Sequence, residues 1–169
     1  MLVFFQRLNL LSFPVEKCEY KGKMPKGFLK RYPNALANLV INQLEKLEKY
    51  NQKRVKIALE YSKVHSLKRL SLSKTVFNRE AIYLRYPMQI DSRNILVKIA
   101  RKKGILLGNW YHNVIDPFGC QLSVVGYQYG SCPKAEFIAQ HIINLPTYPR
   151  MTNADVQRVI SSLNYDLLH

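Results

Sequence analysis

Apolar residues set a helical period early in the chain. In "NALANLVINQLEKLEKYNQKRVKIALEYSKVH", residues 34–65, Leu36, Val40, Leu44 and Leu47 form one stripe. Pro33 precedes the segment and Asn34 is placed to cap it. Glu45 and Lys49 stand four apart for an ion pair, and Glu48 and Gln52 for a hydrogen bond. Unbroken, such a helix runs about 45 Å at 1.5 Å per residue, more than one small core needs. The pattern therefore predicts a helix that bridges two bodies or bends near Asn51.

The pattern then alternates. "AIYLRYPMQI", residues 81–90, reads as a strand closed by Pro87. Asp91 or Ser92 caps a helix through "RNILVKIARKK", with Ile95, Leu96 and Ile99 on one side, basic residues in the last turn and Gly104 at its end. "ILLGNWY", residues 105–111, reads as a second strand, and 112–130 as a Gly-rich and aromatic loop. "SCPKAEFIAQHII" is a helix with Ser131 or Cys132 as cap, Pro133 in its first turn, and Ala135, Ile138, Ala139 and Ile142 facing inward. "NLPTYP" runs extended. Thr152 with Asp155 makes a capping-box pair, and Met151 with Val156 a hydrophobic staple. Val156, Val159, Ile160, Leu163 and Leu167 give the last helix its buried face. The expected fold is α/β, α+β-like: a long N-terminal helix, then a small sheet of about three strands covered by helices.

Residues 1–33 do not fit either period. Pro14, Pro25, Pro33 and the basic cluster "KGKMPKGFLKR" read as a connecting strap, with 34–169 as one domain behind it. The apolar start, "MLVFFQRLNLLSF", lacks the basic lead and the cleavage site of a signal peptide. No apolar run is long enough to span a bilayer.

Composition narrows the chemistry. The 169 residues are 47% hydrophobic and 22% charged, enough for one core. Cys18, Cys120 and Cys132 form no CxxC pair, so zinc and a disulfide framework are not expected, and a reducing cytoplasm is the simplest setting. His65, His112, His141 and His169 have no ligand spacing, so no metal site is expected. No GxGxxG, P-loop, HExxH or GxSxG occurs. Cys132 sits at a helix N-terminus, where a thiol pKa can fall, but capping or packing is its expected role. The formal net charge of +15 fits either a polyanionic partner or a solvated basic surface. "GNWYHN", residues 108–113, sets the only tryptophan beside a tyrosine, a histidine and two asparagines. Trp110, Tyr111 and His112 are thus either a stacking surface for a sugar or base, or a core anchor and its loop.

"GSCPKAEFIAQHIINLPTYPRMTNADVQRVISSL", residues 130–163, resembles the C-terminal end of DegT/DnrJ-type sugar aminotransferases, with its proline–alanine–glutamate helix start, LP-x-x-P segment and capped last helix. "NALANLVINQLEKLEKYNQKR" is similar to that family's long helix linking large and small domains, and "KKGILLGNWYHNVIDP" to the strand and loop between them. The resemblance covers about residues 24 to 165 and implies the small C-terminal domain of a fold type I aminotransferase. It implies pyridoxal 5'-phosphate (PLP) as the cofactor of the whole enzyme, a homodimer, a nucleotide-linked keto-sugar as substrate and an amino acid as donor.

In that family the Schiff-base lysine and the aspartate on the pyridinium nitrogen lie in the large domain. No segment here matches the lysine motif, so the chain alone is not expected to bind cofactor or transaminate. The family's Asn-x-Arg-Met stretch aligns its Arg on Arg31 and its Asn on Leu29, so either Asn34 takes the asparagine's place or this region no longer serves PLP. Two rival readings stand beside this one. The first is a non-catalytic module that binds nucleic acid or another polyanion through Lys21, Lys23, Lys26, Lys30 and Arg31. The second is an interaction remnant that pairs through bare apolar surface.

Overall fold

The computed structural model describes residues 15–26, 28–31, 33–64 and 80–167, with the side chains of 164–167 left aside. The described residues fall in two compact units: residues 1–31 with 113–136, and residues 32–112 with 137–169.

The second unit holds the sheet and most of the helices. Helices α1 (Asn34–Leu44) and α2 (Leu47–Lys63) replace the single long helix. The interruption at Glu45 and Lys46 carries neither proline nor glycine, and it lies upstream of the bend expected near Asn51. Pro33, not Asn34, occupies the N-cap of α1, and Asn34 is its first helical residue. No residue of α1 is buried, so Leu36, Val40 and Leu44 face solvent, as does Leu47 at the start of α2.

Strand β1 (Tyr86–Gln89) pairs antiparallel with β2 (Ile142–Leu145), with Pro87 opposite Asn144 and Met88 opposite Ile143. Pro87 thus lies inside a strand rather than closing it. Asn144 shows why this is tolerated. Its N–H donates to the Gly108 carbonyl at 2.9 Å, and its own carbonyl accepts from the Gly108 N–H at 2.8 Å. Both backbone groups point away from β1, so Pro87 sits in a non-hydrogen-bonded pair, where its missing N–H removes nothing.

Among the described residues the sheet has two strands rather than about three. The stretch after α3 (Arg93–Lys102) keeps strand alternation, with Ile105 and Leu107 buried and Leu106 exposed. It meets β2 only at the bridge between Gly108 and Asn144. In that register Leu106 would next face Pro146, which has no N–H to offer a ladder.

Helix α4 (Pro133–His141) ends two residues earlier than its helical pattern. Ile142 and Ile143 go into β2, and the His141 carbonyl accepts from the Ile90 N–H at 2.9 Å. Ala139 and Ile142 are buried as expected, whereas Ala135 and Ile138 are exposed. In α3, Leu96 is buried but Ile95 faces solvent, and Ser92 holds the N-cap without a side-chain bond. Its end follows the Schellman pattern: Gly104 has φ +72°, its N–H reaches the Arg101 carbonyl, and the Ile105 N–H reaches the Ala100 carbonyl at 2.8 Å.

Helix α5 (Asn153–Leu167) closes the core against α2 and α3. Val156, Val159, Ile160 and Leu163 are buried with Tyr61, Met88 and Leu145. The Thr152 N–H and hydroxyl donate to the Asp155 carboxylate at 2.9 and 2.8 Å, and the Asp155 N–H returns a bond to the Thr152 hydroxyl at 3.2 Å. Met151 and Val156 are both buried, as a staple requires.

Candidate functional site

The residues between Gly108 and His112 form an exposed loop whose position is set from below by β2. Asn144, at 6% exposure, is a polar residue inside a strand that is buried along its whole length. Its backbone is spent on Gly108, and its side-chain Nδ2 donates to the Trp110 carbonyl. One buried asparagine therefore fixes the loop at two points. A buried amide is stable only when its hydrogen bonds are made, which is why an asparagine can stand here in an apolar run.

Trp110 is not a core anchor, because its side chain is half exposed at 51%. The Arg85 guanidinium lies 4.3 Å over the indole centroid, a cation–π contact. Tyr111 is exposed, its ring 6.1 Å from that of Trp110 and tilted by 44°. His112 is half-buried, with Nδ1 3.1 Å from the Asn109 carbonyl oxygen. Trp110, Tyr111 and His112 thus share one loop. Arg31 and Asn34 are each exposed, and they belong to different units of the chain.

The first unit carries a separate polar cluster. Glu136 is buried, and its Oε1 accepts from the Tyr127 hydroxyl at 2.7 Å, the Gly130 N–H at 2.8 Å and the Cys132 N–H at 3.2 Å. The Tyr127 bond, helped by the two amides, holds the Glu136 carboxyl below the usual carboxylate range against the opposing effect of burial. Burial, with the bond to Glu136 and its charge, pushes the Tyr127 phenol up to about 12. In the same unit Gly22 has φ +65°, and a Cβ there would stand 2.5 Å from Val124 Cγ1, so only glycine fits.

The model of the DegT/DnrJ/EryC1/StrS aminotransferase family matches residues 6–164. The chain belongs to this family. It is 27% identical to the uncharacterized protein MJ1066 of Methanocaldococcus jannaschii, over 89% of this chain and 39% of that one. Its fold is similar to that of S. venezuelae DesV, solved in complex with a ketimine intermediate, with TM-score 0.66, 22% identity, and 78% of this chain covering 35% of DesV. It is similar also to Helicobacter pylori PseC, an aminotransferase of pseudoaminic acid biosynthesis, with TM-score 0.62, 20% identity, and 76% of this chain covering 35% of PseC. The chain therefore spans under two-fifths of the length of these relatives.

PLP is the cofactor that a family aminotransferase calls for, and it needs a lysine held in a closed pocket. Every described lysine of this chain is exposed, so the described residues do not fit that requirement by themselves. Among the described residues no group of three or more His, Cys, Asp or Glu could hold a metal ion. No described helix is long and apolar enough to cross a membrane.

Sequence reasoning missed Asn144, Arg85 and Glu136. Asn144 had a signal, since it is the one polar residue in "IINL". Glu136 was legible as a motif letter but not as a buried acceptor. Arg85 had none, because nothing in "YLRYP" announces that its guanidinium lies on an indole twenty-five residues away.

Proposed function

We propose that this chain is the C-terminal, small-domain portion of a PLP-dependent aminotransferase that moves an amino group from an amino-acid donor onto a nucleotide-linked keto-sugar. The observation that carries the reading is the family match over residues 6–164 in a chain that spans only about a third of its relatives' length. On this reading residues 1–33 are the strap from a large domain, and 34–169 the small domain with its linking helix. Trp110, Tyr111 and His112 form one wall of the substrate cleft. Arg31 and Asn34 reach toward the cofactor that the large domain holds, and the intact enzyme is a cytoplasmic homodimer active in amino-sugar or cell-surface polysaccharide biosynthesis.

The exposed lysines support the corollary that this chain does not transaminate alone. Co-expression with a lysine-bearing N-terminal portion of a family member tests it. The expected result is a co-purifying pair that fixes PLP to a single lysine of the added portion on borohydride reduction. Stoichiometric fixation of PLP to one lysine of the lone chain would overturn the reading. The polyanion-binding alternative draws on net charge and on the basic cluster of Lys21, Lys23, Lys26, Lys30 and Arg31, and no geometry among the described residues favours it.

A further inference from the structure

We infer that Arg85, held over the Trp110 ring beside Gly108, is a preorganised site for an oxyanion, taking a phosphate or a carboxylate group. Three observations meet there. The Arg85 Cζ is 4.3 Å from the indole centroid, so the ring holds the guanidinium in place by a cation–π contact. A guanidinium carries five N–H donors, and a cation–π contact to a ring does not take up all of them. Arg85 is exposed and has no acidic partner among the described residues.

Gly108 supplies the second observation. A Cβ at this position would stand 2.8 Å from Arg85 Nη1, so the absence of a side chain makes the room in which that nitrogen rests. The third is rigidity. Gly108 is tied to Asn144 through both backbone groups, and the Trp110 carbonyl is tied to the Asn144 side chain. The surface on which the arginine lies is therefore fixed before any ligand arrives.

A flexible arginine loses rotamer freedom on binding an anion, and one already held against a ring has lost much of it. Planar two-oxygen groups match the fork of its N–H donors, which a lysine ammonium cannot copy. The net charge of +15 adds a general attraction for anions without selecting among them. The same geometry leaves only the opposite face of the indole for stacking by a sugar, because Arg85 already covers one. This inference needs neither a cofactor nor a further domain, so it can fail while the family assignment stands.

Trp110 is the only tryptophan, and its emission reports on this site alone. The full chain is titrated with inorganic phosphate and, separately, with glutamate, ionic strength being held constant with chloride. A saturable change in Trp110 emission is expected. Saturation by phosphate identifies a phosphoryl ligand, and saturation by glutamate alone a carboxylate. Arg85→Lys, which keeps the charge and removes the fork, is expected to weaken the binding about tenfold. Its far-UV circular dichroism should match the parent, because Arg85 lies outside the core. Emission that fails to saturate, or that saturates equally in Arg85→Lys, would overturn the inference.

Discussion

Asn144 and Gly108 exchange both of their backbone hydrogen bonds, at 2.9 and 2.8 Å, although they lie in different segments of the chain. This single bridge does the work of a third strand. It turns the polar groups of Asn144 away from Pro87, lets a proline sit within β1, and seats the loop that carries Trp110.

The Asn144 side chain should therefore matter beyond its size. Asn144→Ala removes the donor to the Trp110 carbonyl and is expected to destabilise the chain by about 1–2 kcal/mol. Trp110 emission should shift as the loop loosens. Urea denaturation followed by circular dichroism and by tryptophan fluorescence measures both, and an unchanged spectrum with unchanged midpoint would contradict this role.

Glu136 and Tyr127 predict opposite pH dependences at the two ends of the scale. The Glu136 carboxyl is held below its unfolded value, so its contribution is present above about pH 4.3 and is lost as pH falls through its folded pKa. The Tyr127 phenol is pushed up to about 12, so its contribution is present below about pH 10 and is lost as pH rises toward that value. Glu136→Gln should flatten the acid limb of stability against pH and leave less of the alkaline one. Tyr127→Phe should flatten the alkaline limb. Denaturation midpoints between pH 3 and pH 11 test both, and acid limbs of equal slope in parent and Glu136→Gln would count against the assignment.

The start of α5 and its buried face should respond on different scales. Thr152→Ala removes the two hydroxyl bonds of the reciprocal cap, leaves the backbone N–H on the Asp155 carboxylate, and is expected to cost about 1 kcal/mol. Leu163→Ala opens a cavity at a site with 0% exposure and is expected to cost about 2–5 kcal/mol. Equal shifts in thermal midpoint for the two variants would show that this helix is held by its cap rather than by its packing.

Helix α1 carries no charged residue from Asn34 to Leu44, and none of its residues is buried. Contiguous exposed apolar surface drives association. Leu39→Lys together with Leu44→Lys is expected to reduce self-association of the chain, read as later elution in size-exclusion chromatography at matched concentration. No change on making the double variant would mean that α1 takes no part in association.

Local physics made much of this legible in advance. The capping box at Thr152 and Asp155, the staple at Met151 and Val156, and the glycine stop at Gly104 each depend on residues within a few positions of one another. The buried face of α5 follows from spacing alone, since Val156, Val159, Ile160 and Leu163 fall on one side of any helix drawn through them. The closing segment was specific enough to carry the family resemblance.

Long-range pairing decided the rest. Ile142 and Ile143 continue a helical pattern, yet they leave the helix because β1 offers them a partner strand and a buried environment that outweigh local preference. "ILLGNWY" has strand alternation, yet it forms one bridge because Pro146 on the facing strand has no N–H to extend the ladder. The stripe of α1 has helical period, but period does not say what covers it, and nothing described does. The Arg85–Trp110 contact belongs to the same class. Sequence alone determined which residues could cap, stop or face a core, because those interactions span one or two turns. Tertiary structure alone decided which side chains converge from distant segments, because that depends on the register of β2 against Pro87 on one side and Gly108 on the other.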